Sequence, residues 1–199
     1  MRISSVSPVR RRWWGWRIAI VVVAALVLVP LLGACATGPK ARIPIMNIPK
    51  SITVSSTEFT DGGPLPVADT CTSGGAFPAL TWTGIPHGTA AVAVIVYDLD
   101  GAKGIYVHRI VTDIDPAADG LPSAKTPTGA VEYATSTGAP GWTPPCPDQG
   151  SGVHRYVFWV LALDRLTRIP ATAVTATAIA TITEAAFAQG QIVGTVDAG

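Results

Sequence analysis

The sequence predicts one loop-rich domain dominated by β-strands, carried behind a segregated N-terminal leader. Three observations predict it. Only 14% of residues are charged while 48% are apolar, enough to build a single core in a chain of 199 residues. Glycine and proline number 20 and 17, a content that cuts regular structure into short pieces. The strongest apolar runs are short and β-branched, and few stretches follow the helical period. A formal net charge of +1 offers no electrostatic case for nucleic acid or for an acidic partner. The mean hydropathy of +0.39 is raised by the leader and does not signal a membrane-embedded body.

In the leader, Arg2, Arg10, Arg11, Arg12 and Arg17 precede an apolar run from Ile18 to Leu32. This is the basic and apolar pairing of an export signal, with Trp13, Trp14 and Trp16 suited to the membrane interface. Leu32-Gly33-Ala34-Cys35 resembles a bacterial lipobox, which implies cleavage before Cys35 and a lipid on its sulfur. An uncleaved anchor helix and a simple cleaved signal are the other readings. The run sits near the lower limit of about 17 residues for a spanning helix, which favours cleavage. The expected organisation is a signal over 1–34, a lipidated cysteine and tether over 35–50, and a globular domain over 51–199, held at the extracytoplasmic face of the membrane. With Pro44 and Pro49 and no periodicity, the tether could reach roughly 50 Å if fully extended. Lipidation of Cys35 leaves Cys71 and Cys146 as an even pair in an oxidising compartment, where a disulfide is allowed. Sequence separation does not decide between that bond and two buried thiols.

Within the domain, residues 52–56 alternate apolar and polar and read as a half-buried strand. Turn signals follow at Asp61-Gly62-Gly63-Pro64 and at Asp69 to Gly75, before Phe77-Pro78-Ala79-Leu80-Thr81-Trp82. His87 falls in another turn and is expected to be exposed. Residues 90–97 carry no charge and read as a strand buried on both faces. Residues 105–111 form the next strand, with Tyr106, His108 and Ile110 expected on one face. Residues 115–142 are rich in Pro, Gly and Thr and expected to be mostly irregular. The loop from Cys146 to Gly152 feeds a second apolar strand, in which His154 and Tyr156 share a face because side chains two apart do so. Residues 171–188 show a helical spacing of Ile179, Ile182 and Phe187. Gly190 then reads as a helix stop before a final strand at 192–196.

Polar residues thus gather at the ends of apolar strands: Asp98, Asp100, His108, His154 and Tyr156. The blocks that carry them resemble the phosphatidylethanolamine-binding proteins, in their bacterial Raf-kinase-inhibitor-like branch, over nearly all of 52–196. Thr70-Cys71 with Phe77 to Trp82, Asp98-Leu99-Asp100, His108, Pro145-Cys146-Pro147 with Gly150 and His154-Arg155-Tyr156, and the ending Gly190 to Thr195 follow the family's order and spacing. The sequence departs from the family at Leu99, Arg109, Pro144 and Asp148, and an acidic Asp148 on the rim is expected to repel anions.

The resemblance implies a β-sandwich-like fold of two antiparallel sheets with one or two peripheral helices. It implies a small anion pocket lined by Asp98, His108, His154 and Tyr156, with Cys146, Pro147 and Gly150 on its rim. Two imidazoles and a phenol would supply donors, and Gly150 and Gly152 would let backbone N–H groups approach a ligand. Asp98 is expected to orient one histidine and raise its pKa, so that anion affinity rises as pH falls. Arg155 should face away from the pocket and form an ion pair or hydrogen bonds to backbone, and Asp100 is either a supporting residue or a turn residue.

The function implied is an envelope-anchored binding protein for a phosphate-bearing ligand or lipid head group, with modulation of a protein partner as a further role, no cofactor and no nucleic acid. A hydrolase is the alternative from a different class. The chain has no Gly-x-Ser-x-Gly elbow, and Ser151 stands next to no obvious base. A zinc site from Cys71, Cys146, His108 and His154 lacks the close spacing such sites show.

Overall fold

A computed structural model describes residues 41–122 and 124–199. The expected signal, the lipobox, Cys35 and the first part of the tether lie outside the described residues. Eight strands form two antiparallel sheets. The smaller sheet holds β1 (Thr53–Ser55), β2 (Leu80–Thr83) and β5 (Gly120–Leu121) in the order β1-β2-β5. The larger holds β3 (Ala91–Asp98), β4 (Tyr106–Ile114), β6 (Val131–Glu132), β7 (Val153–Leu163) and β8 (Ala186–Asp197), ordered β6-β4-β3-β7-β8. Between β4 and β7, the described residues of 115–152 contain only the two-residue strands β5 and β6, in keeping with the irregular stretch expected over 115–142.

Every residue of β3 is buried, because the strand is covered on both sides. Val92, Val94 and Val96 face the small sheet, where they meet Leu80, Trp82 and Leu121 together with Phe158 and Val160 of β7. Ala91, Ala93 and Ile95 face the opposite way, onto Trp159, Leu161 and the helix residues Ile179 and Ile182. The uncharged runs of the sequence are the two central strands for this reason. With apolar layers on both faces, a charge would have no water to reach.

One helix, α1 (Thr175–Ala185), covers the second face. Its threonines are accommodated by bonding backward: Thr181 Oγ1 donates to the Thr177 carbonyl at 3.0 Å and Thr183 Oγ1 to that of Ile179 at 2.9 Å. The helix does not stop at Gly190 as its sequence suggests. It ends at Ala185 and passes directly into β8, and Gly190 lies mid-strand opposite Val160. There the missing side chain makes room for backbone, since a Cβ would collide with the Ile52 carbonyl oxygen. The glycine serves close approach, not helix termination.

The segment before β1 also differs from expectation. Ala41, Ile43, Met46 and Ile48 pack against the helix-side core. The Gln189 backbone N–H donates to the Pro49 carbonyl at 2.9 Å, and its side-chain amide to the Ile48 carbonyl at 3.2 Å. The second half of the supposed tether is laid onto the domain.

Candidate functional site

The site grows from the ends of three adjacent strands. Asp98 closes β3 and stands between Tyr106 on β4 and Tyr156 on β7, its cross-strand partners. Its carboxylate is buried and both oxygens are engaged. Oδ1 accepts the Asp100 N–H at 2.8 Å, which shapes the turn, and Oδ2 accepts from His154 Nδ1 at 2.7 Å. The carboxylate thereby fixes the ring's orientation and tautomer, as expected for one of the two histidines.

His108 reaches the same place by a different device. Val96 pairs with Arg109 and Tyr97 with Val107, so His108 is an extra residue in β4. Such a β-bulge puts two consecutive side chains on one side of the sheet. His108 and Arg109 both point between the sheets, and Ile110 is turned to the helix side, in contact with the other core. Simple alternation, which put Ile110 with His108, fails here. The bulge seats the imidazole among three aromatic rings, with centroids 4.9 Å from Tyr106, 5.2 Å from Tyr156 and 6.1 Å from Trp142.

His108 Nδ1–H donates to the Thr143 carbonyl at 2.7 Å. Its Nε2 is buried and has no hydrogen-bond partner. Burial pushes the imidazole pKa down, with His154 adding to the effect, against the opposing pull of the Thr143 bond and the Asp98 charge. Neutral His108 therefore presents Nε2 as an acceptor, and becomes a donor toward an anion only on protonation.

The second imidazole is placed differently. His154 Nε2 lies 2.9 Å from Ser151 Oγ, and that hydroxyl also donates to the Asp148 carbonyl at 2.5 Å. Both ring nitrogens of His154 are thus occupied within the protein. Ser151 has a base beside it after all, completing a Ser–His–Asp chain of hydrogen bonds that the sequence did not disclose. When Nε2 carries a proton the ring donates to Ser151 and the hydroxyl proton stays with Asp148. When it does not, the ring competes with that carbonyl for the hydroxyl proton.

Tyr156 is buried, its ring stacked 6.5 Å from His154. Burial, with the charges of Asp98 and Asp100, drives its pKa up, so the phenol stays protonated. Asp100 and Arg155 form a two-pronged exposed ion pair, Nε–Oδ2 2.8 Å and Nη2–Oδ1 2.7 Å, away from the pocket as strand alternation predicts. That bond is the main reason the Asp100 carboxyl is held below its ordinary value. Asp100 is a turn residue that locks the 98–100 corner to β7. His87 is exposed in its turn.

The rim is tied down at several points. Cys71 and Cys146 form a disulfide with Cα atoms 5.4 Å apart, so neither offers a thiolate. Cys71 N–H donates to the Pro145 carbonyl at 2.9 Å, and Trp142 Nε1–H reaches the Gly75 carbonyl at 3.0 Å. Pro144 packs where a side chain on Gly75 would otherwise go. Gly150 N–H donates to the Ala198 carbonyl at 3.0 Å, and Gly150 and Gly152 both have positive φ, 81° and 82°, a turn that suits glycine. Cys146, Asp148 and Gly150 are exposed and Pro147 is half-buried. These residues stand on the rim, while Asp98, His108, His154 and Tyr156 form the buried cluster.

Sequence reasoning missed Tyr106, Trp142 and Thr143. Tyr106 had a signal, two residues before His108 on one strand. Thr143 had none, because its backbone carbonyl does the work. Arg109 was noted only as a departure. It is fully buried, pairs with Glu132 at 2.6 Å, donates to the Ala124 carbonyl at 2.8 Å, and lies 4.5 Å over the Phe77 ring. Two open grooves of the surface lie elsewhere, one of about 830 Å³ between residues 42–46 and α1 and one of about 270 Å³ beside Ala173 and Thr175.

Known proteins share this arrangement of sheets. Residues 55–197 match the family model described as phosphatidylethanolamine-binding protein. The chain is 35% identical over 189 residues to a Mycobacterium tuberculosis protein named "Putative lipoprotein LppC", covering 87% of this chain and 94% of that one. It is 34% identical over 169 residues to UPF0098 protein Rv1910c of the same organism, covering 82% of each. The crystal structure of Escherichia coli YbcL, described as a member of the mammalian PEBP family, superposes with a TM-score of 0.67 at 29% identity, covering 73% of this chain and 97% of that one. A homologue from Chlamydia trachomatis, CT736, gives a TM-score of 0.68 at 25% identity. On fold, family match and relatives together, the chain belongs to the phosphatidylethanolamine-binding protein family.

Proposed function

We propose that this is an envelope-anchored binding protein whose cluster of Asp98, His108, His154 and Tyr156, rimmed by Cys146, Pro147 and Gly150, takes a phosphate-bearing small ligand or head group. The observation that carries the reading is His108 Nε2. Buried polar atoms are normally hydrogen-bonded, and this one, surrounded by aromatic rings, has no partner within the protein. A ligand oxygen supplies the missing partner once the ring is protonated.

Binding is therefore coupled to proton uptake. Because burial lowers the His108 pKa, an anion that needs His108 charged binds more tightly as pH falls, with the rise displaced below the ordinary histidine value near 6.5. His154, held by Asp98 and Ser151, positions the floor and meets a ligand only if Ser151 gives way. The anchor is the acylated Cys35, supported by the leader pattern and by the lipoprotein name of a relative covering most of the chain. A protein partner that reads the occupied rim belongs to the same reading and would appear as a stoichiometric companion in a pull-down from envelope extract.

Calorimetric titration with inorganic phosphate and with glycerophosphoethanolamine, across about pH 5 to 8, tests the site. Affinity should climb toward acid, and His108→Gln should remove the climb. Binding that ignores pH, or survives unchanged in His108→Gln, would rule out the proposed role of this ring.

A further inference from the structure

An apolar strip lies on the side of the larger sheet opposite the histidine cluster. Residues 42–46 run along α1, and Ile43, Pro44, Ile45 and Met46 line an open groove with Ile179, Thr183 and Glu184, whose carboxylate pairs with Arg165 at 3.4 Å. Ile43 and Met46 are half-buried against the helix-side core. Ile45 between them is wholly exposed, at 103%. The segment is held in place, since its neighbours are packed and Gln189 bonds the backbone just beyond it. Arg42 is exposed at one end. A fixed, fully solvated isoleucine beside a cation is unfavourable in water and well suited to a lipid interface.

The length of chain beyond this segment says what covers it. Six peptide steps separate Cys35 from Ala41, at most about 22 Å, so an acylated Cys35 keeps the start of the strip within that distance of the headgroups. We propose that residues 42–46 and the adjoining side of α1 form a bilayer-facing surface, with Ile45 inserted at the headgroup–acyl boundary and Arg42 against lipid phosphates. The proposal rests on the acylation of Cys35 argued above. Ile43, Met46 and Ile179 belong to the core on one face of the larger sheet, and Tyr156 belongs to the core on the other, so this surface is separate from the histidine cluster.

The test uses the full chain purified from membranes and reconstituted into phosphatidylethanolamine–phosphatidylglycerol vesicles brominated on the upper acyl carbons. Interfacial faces enter about 5–10 Å into the headgroup–acyl boundary, within reach of those bromines. Against the background of the native Trp82, Trp142 and Trp159, Ile45→Trp should add fluorescence that the bromines quench. The fluorescence added by Thr81→Trp, exposed on the outer face of the smaller sheet, should not be quenched. Both positions are exposed, and matching denaturation midpoints verify that neither change disturbs folding. A chain that floats with the vesicles but shows equal quenching at both positions, or none at Ile45→Trp, overturns the surface and leaves the anchor standing. The mass of the N-terminal peptide reads the anchor separately, and a mass without acyl chains overturns the anchor and the surface together.

Discussion

Asp69 ends a single 3-10 turn, Val67–Asp69, two residues before the disulfide. It is 1% exposed, and neither carboxylate oxygen has a hydrogen-bond partner. Burial, with the Glu58 charge adding to it, raises its pKa from 3.8 to about 6. A folded pKa above the unfolded one means the folded state holds its proton longer. Below the unfolded pKa both states are neutral and the site adds no pH-dependent cost. As pH rises toward 6 the unfolded chain ionises freely and the folded chain does not, so stability falls. Above the folded pKa the penalty is constant, at about 3 kcal/mol for a shift of this size.

Asp69→Asn removes the charge and keeps the shape. An amide has its own burial cost, but that cost does not change with pH. The stability of the variant relative to the native protein should therefore increase by about 2.5 kcal/mol between about pH 4 and pH 8. Urea denaturation with the disulfide intact, fitted at each pH, measures it. Parallel stability curves for the two proteins would refute the argument, because they would mean that Asp69 is ionised at no cost in the fold.

Three further outcomes follow from the geometry. Cys71→Ser opens a loop with a sequence separation of 75, and a loop of that size implies about 4.5 kcal/mol of lost stability, readable in the same denaturation experiment. Gly190→Ala puts a methyl group into the Ile52 carbonyl, and should cost at least about 1–3 kcal/mol by parting β8 from the segment before β1. A fluorophosphonate probe should leave Ser151 unlabelled, since the Asp148 carbonyl holds its hydroxyl at 2.5 Å. Labelling detected there by peptide mass spectrometry would revive the hydrolase alternative.

The sequence alone determined which runs are central strands, because burial on both faces leaves a plain record: residues 91–97 and the apolar part of β7 carry no charge. It also marked Asp98, His108, His154 and Tyr156, since polar residues at the ends of such strands are conspicuous, and alternation correctly sent Arg155 outward to Asp100. What it could not decide were the matters of register and close approach. The bulge that turns His108 and Arg109 to one side is a mismatch between two strands, invisible in either one. Gly190 looks like a helix stop until the Ile52 backbone is seen against it. The 41–50 segment has no periodicity to announce that it packs. Ser151 meets His154 through a glycine turn whose shape no spacing rule supplies. Local composition records how much water a residue meets, and only the assembled sheets determine which atoms it meets instead.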